Sequence, residues 1–104
     1  MDRIRYNYLL PIGSIVKVKG MEQRMMVYGV LQKGKATGDR VFDYIAVPYP
    51  EGIHDSRLSI GFNHNEVEEV VFRGYEDKDR EAFLLILEAM ARKAEKNQSS
   101  EDNS

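Results

Sequence analysis

Glu69-Val70-Val71-Phe72-Arg73-Gly74-Tyr75-Glu76-Asp77-Lys78-Asp79-Arg80-Glu81-Ala82-Phe83-Leu84-Leu85-Ile86-Leu87-Glu88-Ala89-Met90 is the stretch in which the hydrophobic period of this chain changes. Up to Arg73 the run is short, β-branched and aromatic, and Gly74 ends it, which reads as a strand. From Asp77 onward Phe83, Ile86, Leu87 and Met90 recur at i, i+3, i+4 and i+7, the spacing of one face of a helix. Leu84, Ala91 and Ala94 widen that stripe. Acids (Glu76, Asp77, Asp79, Glu81) gather at its start and bases (Arg92, Lys93, Lys96) at its end, the favourable sense for a helix dipole. One helix is therefore predicted over about 77–96, burying its stripe against whatever precedes it. The last residues, 97–104, contain no apolar side chain and are expected to form a disordered polar tail.

Working back from Gly74, strand signals follow one another at short intervals. Ser14 to Gly20 reads as a strand opened by Pro11-Ile12-Gly13. Arg24 to Gln32 reads as a second, with Gly29 marking a bulge or bend. Lys33 to Arg40 is a polar loop with two glycines, suited to a hairpin. A third strand covers Val41 to Val47, stopped by Pro48 and Pro50, and a short one lies near Leu58 to Phe62. Asn63 to Glu68 reads as a turn with Asn63 as cap. The predicted fold is α+β, with 4–6 short strands in a strongly bent antiparallel sheet or SH3-like barrel followed by one C-terminal helix. Residues 1–96 are read as a single domain.

Composition narrows the function. The chain has 104 residues, enough for one domain, and no cysteine, which removes disulfides and thiolate chemistry. A net charge of −2 gives no bulk attraction for nucleic acid or anionic lipid. Met1 to Tyr8 alternate polar and apolar positions, and only Leu9 to Ile12 follow, broken by Pro11. An apolar stretch of about 7–15 residues for a secretory signal, or about 20 for a membrane span, is absent, so the expected location is the cytoplasm.

No enzyme or cofactor pattern emerges. His54 and His64 stand ten apart with Asp55 and Glu66 beside them, a looser spacing than metal sites use. Ser14 and Ser59 lack a nucleophile-elbow frame, and the acid runs read as solvated faces. Lys33-Gly34-Lys35 with Thr37-Gly38 lacks the P-loop frame and leads into no helix. An RNA-binding barrel would use Tyr28, Phe42, Tyr44 and Tyr49 for stacking and Lys17, Lys19, Lys33 and Lys35 for charge, but the acidic balance opposes it. The informative feature is six tyrosines and five methionines without tryptophan, a composition common at protein interfaces. Met26, Tyr28, Tyr44, Tyr49, Pro50 and Tyr75 are the candidate partner-binding residues. An exposed Val41–Val47 edge would also allow a homodimer.

Three segments, Tyr8-Leu9-Leu10-Pro11-Ile12-Gly13-Ser14, Asp43-Tyr44-Ile45-Ala46-Val47-Pro48-Tyr49-Pro50-Glu51-Gly52 and Phe62-Asn63-His64-Asn65-Glu66-Val67-Glu68-Glu69-Val70-Val71-Phe72-Arg73-Gly74-Tyr75, carry a resemblance. In this order, over about residues 6–90, they resemble a small Gram-positive domain-of-unknown-function family encoded beside type VII (ESX) secretion genes and their LXG toxins. Pro48 departs from the more usual non-proline residue there. The resemblance implies no catalytic residue, cofactor or metal. It implies a cytoplasmic accessory protein that binds an LXG-type toxin, or its small helical companion, as chaperone or targeting factor. The alternative is an immunity protein capping a toxin domain, for which an acidic surface would suit a basic nuclease.

Overall fold

The computed structural model describes residues 5–33, 41–53 and 55–102, and the chain divides into two compact units. One unit, Leu9–Tyr75, is the sheet. Its strands are β1 (Ile15–Val18), β2 (Met25–Lys33), β3 (Val41–Pro48), β4 (Ile60–Phe62) and β5 (Val67–Phe72). The other unit joins the N-terminal residues to α1, Lys78–Asp102. The α+β class with five antiparallel strands and a C-terminal helix is as the periodicities predicted.

The strand order is β4-β3-β2-β1-β5, so consecutive strands β4 and β5 occupy opposite edges of the ladder. Only a 3-10 turn, His64–Glu66, and Asn63 connect them. Fully extended, the steps from Phe62 to Val67 reach about 17 Å, and less where the chain coils. Crossing a flat sheet of five strands takes about 19 Å. The sheet must therefore curl, which is the strong bend expected of a small barrel. A second device helps it. The β2–β3 register slips between Val27 and Gly29, the bulge that Gly29 signalled, and a Cβ there would lie 2.7 Å from the Ile45 side chain.

Curling encloses one core. Leu9, Leu10, Val16, Val18, Met25, Val27, Val30, Tyr44, Ala46, Val47 and Phe62 are all buried. Each large side chain fully buried contributes about 1.5–3 kcal/mol. β3, paired on one side with β2 and at Tyr44–Ala46 with β4, is interior, so the dimerising edge expected at Val41–Val47 is closed there. The longer edge is β5. It carries two register shifts against β1 and presents Glu68 and Glu69, features that discourage pairing with other strands.

The helix departs from expectation in two ways. It begins as predicted, with the Asp77 carboxylate accepting the Arg80 N–H at 3.0 Å as an N-cap. It then continues to Asp102, through most of the segment read as a disordered tail, because each added residue gains a backbone bond once a helix is nucleated. Its covered line is also not the predicted stripe. Leu84 and Glu88 are buried, with Glu88 paired to Arg92 at 2.6 Å, and Arg5 reaches Glu95 at 2.5 Å. Phe83, Ile86 and Met90 are exposed (45%, 56% and 63%). Residues 103–104, His54 and the 34–40 loop with its phosphate-loop pattern lie outside the described residues.

Candidate functional site: a methionine-lined cleft

A polar seam ties the sequence motifs together. β3 places Tyr44 in the core at 0% exposure, and its ring packs 5.4 Å from Phe62 and 5.8 Å from His64 between centroids. A buried hydroxyl needs partners. Tyr44 Oη accepts the Leu10 backbone N–H at 3.0 Å and shares a hydrogen bond with His64 Nδ1 at 2.6 Å. The neighbouring residues repeat the link. Asp43 Oδ2 accepts the His64 N–H at 2.8 Å, and Asn63 Oδ1 accepts the Asp43 N–H at 3.1 Å. Glu66 Oε2 closes the turn on the Asn63 N–H at 2.7 Å. Segments near residues 10, 44 and 64 are thus one another's partners.

Two residues weighed for chemistry take structural parts in this frame. Ser14 is fully buried, and its Oγ accepts the Gly74 N–H at 2.9 Å. Ser59 Oγ shares its hydrogen bond with Tyr28 Oη at 2.5 Å. Among the described residues, no group of three or more His, Asp or Glu side chains is placed to hold a metal ion.

At the other end of β2 and β3 the surface opens into a cleft of about 410 Å³. Met21, Met25, Pro48, Leu58 and Ile60 form its apolar walls, and Gln23, Glu51 and Arg57 its polar rim. Met25 is buried and gives the cleft its floor. The turn after β3 shapes one side: the Tyr49–Pro50 peptide is cis, and the Gly52 N–H donates to the Pro48 carbonyl at 2.7 Å. Gln23 Nε2 donates to the Tyr49 carbonyl at 2.6 Å, and the Tyr49 N–H to the Arg24 carbonyl at 2.9 Å. The Arg24 guanidinium lies over the Tyr49 ring, 5.3 Å from its centroid. A cleft of this volume with methionine walls accepts one or two large apolar side chains of varied shape.

Arg57 is held at the rim by a bidentate pair with Asp55, Nη2 to Oδ2 at 2.6 Å and Nε to Oδ1 at 3.0 Å. Hydrogen bonds from Arg57 hold the Asp55 carboxyl below the usual aspartate range, and Asp55 raises Arg57 in turn. The pair's contribution is present above the ordinary aspartate range and is lost as pH falls through the lowered value. On acid titration followed by NMR of the side-chain carboxyl carbon, Asp55 is expected to titrate below the ordinary aspartate range in the wild type and to move back up in Arg57→Gln. An Asp55 titration that is the same in both proteins would remove this account of the rim.

The structure sorts the six predicted contact residues. Tyr49 and Pro50, half-buried and exposed, lie in the turn between cleft residues Pro48 and Glu51 without lining the cleft themselves. Tyr28 is exposed and bonded to Ser59, the residue between cleft residues Leu58 and Ile60. Met26 is half-buried and alternates with Met25, so it faces away from the cleft. Tyr75 is 79% exposed and does not line the cleft. Tyr44 is a correction: wholly buried, with its hydroxyl engaged, it offers no surface to a partner. Sequence reasoning missed Met21, Gln23, Arg57, Leu58 and Ile60. Met21 and Met25, flanking a turn beside the proline-rich segment, were the available signal.

A family described as a domain of unknown function (DUF4176) matches residues 9–83. The chain belongs to this family. The match begins at Leu9 and so covers the whole sheet unit, with its Tyr44 seam and the cleft, and reaches the first turns of α1. No curated protein and no solved structure matches this DUF4176 chain. No helix among its described residues is long and apolar enough to cross a membrane.

Proposed function

We propose that this DUF4176 protein is a non-catalytic cytoplasmic binding protein that grips a protein partner through the methionine-lined cleft. On the resemblance of its motifs, the partner is an LXG-type toxin of type VII secretion, which the protein keeps competent for export. The observation that carries the binding reading is the cleft itself. Five apolar residues line it, and its polar rim is largely committed: Gln23 to the Tyr49 carbonyl and Arg57 to Asp55. Such a surface favours apolar anchors from a partner, surrounded by polar contacts. Desolvated apolar contacts are weakly screened, so the complex survives moderate salt.

The test is a pull-down of the tagged full chain from its native cells, with mass spectrometry of what stays bound. Wild type is expected to retain one large LXG-type protein, and removal of that protein's non-toxic region abolishes retention. Met21→Asp and Leu58→Asp, each placing a charge in the cleft wall, are expected to lower recovery at least about 10-fold, with thermal midpoints little changed. Unchanged recovery with both variants removes the cleft from the interface. Retention by the toxic C-terminal domain alone replaces the export role with immunity, and retention of RNA or of nothing overturns the partner reading.

A further inference from the structure

We propose that two copies of this chain pair antiparallel through the exposed stripe of α1, about a two-fold axis passing at Ile86. This goes beyond the cleft and is independent of what the cleft binds. Phe83, Ile86 and Met90 are exposed along one face, with Ala82 and Ala89 beside them and Leu87 at the margin. A contiguous apolar stripe of this kind on a charged helix marks a contact surface.

The order of residues along the stripe specifies the occupant. Asp79 and Lys93 stand equally far on either side of Ile86, about two turns each way, and both are exposed. In an antiparallel pair centred at Ile86, Asp79 of one copy faces Lys93 of the second, and Lys93 faces Asp79. The same operation sets bulky Phe83 opposite small Ala89 and bulky Met90 opposite small Ala82, while Ile86 meets Ile86. Charge and size are therefore complementary under one symmetry operation, as an isologous interface requires. A parallel pair would instead set Asp79 against Asp79 and Lys93 against Lys93. Other placements of the axis lose the large-to-small match. The stripe is short, so two helices alone bury less than a standard stable interface, and the dimer is expected to be weak, with dissociation in the micromolar range.

Sedimentation of the full chain across the micromolar range tests this, with helicity checked by circular dichroism at every variant. Wild type is expected to move from monomer to dimer as concentration rises. Ile86→Asp, which sets two carboxylates together on the axis, should weaken dimerisation at least about 100-fold. Asp79→Lys or Lys93→Glu alone should weaken it about fivefold, and the double reversal D79K/K93E should restore it. A chain that stays monomeric at all concentrations overturns the proposal. So does a dimer indifferent to Ile86→Asp, and a dimer that the double reversal fails to restore is not antiparallel.

Discussion

Replacing Tyr44 by phenylalanine is expected to lower the unfolding free energy by about 2 kcal/mol while leaving the sheet assembled. The ring itself is conserved by this change, so its packing against Phe62 persists. What is lost is the hydroxyl, which accepts the backbone N–H of buried Leu10 and bonds His64 Nδ1. Removing one partner of a buried hydrogen bond leaves the other with its full desolvation cost, about 1–3 kcal/mol. Tyr44→Ala adds a cavity to that loss and should cost about 4 kcal/mol or more. Urea unfolding followed by tyrosine fluorescence measures both, since the chain has no tryptophan. A phenylalanine variant within about 0.5 kcal/mol of wild type would show that the seam does not hold the strands together.

The second large effect is expected at Gly74. Its N–H donates to Ser14 Oγ, and a Cβ added there would run into the Ile12 carbonyl oxygen while lying 3.1 Å from the Ser14 nitrogen. Both obstacles are backbone, so neither swings aside like a side chain. Gly74→Ala should therefore cost about 2–3 kcal/mol, the usual range for forced overpacking. Gly20 supplies the control. It has φ +82°, yet a Cβ there meets nothing within 4 Å, so Gly20→Ala incurs only the left-handed backbone cost of about 1 kcal/mol. Chemical unfolding of both variants decides the matter, and a Gly20 variant less stable than the Gly74 variant would refute the close-packing argument. Amide exchange at residue 74 should also rise in Gly74→Ala, because the strained segment moves away from Ser14.

These two positions illustrate how differently the fold and the site were legible. Gly74 was readable as the end of a strand, because a glycine after Val70-Val71-Phe72 interrupts the pattern locally. That it must be glycine because Ile12 and Ser14 press on it depends on residues some sixty positions away, which periodicity does not register. Tyr44 was misplaced for a related reason. Tyrosine suits an interface and a core equally, and only its meeting with Leu10 and His64 shows which role it has.

Sequence alone determined the elements. Alternation located β2 and β3 nearly to their ends, Gly29 announced the bulge, and the change of period near residue 77 announced the helix, because these signals report how neighbouring residues share a face. Tertiary structure decided everything that depends on which faces meet. It curled the sheet, because a few residues must carry the chain from β4 to the opposite edge at β5. It left Phe83, Ile86 and Met90 exposed while covering Leu84, since an apolar stripe states that something must cover it without naming what. The cleft is likewise made of Met21, Pro48, Leu58 and Ile60, residues from separate turns and strands. Their proximity is a property of the folded chain, created by long-range strand pairing that no local window of sequence contains.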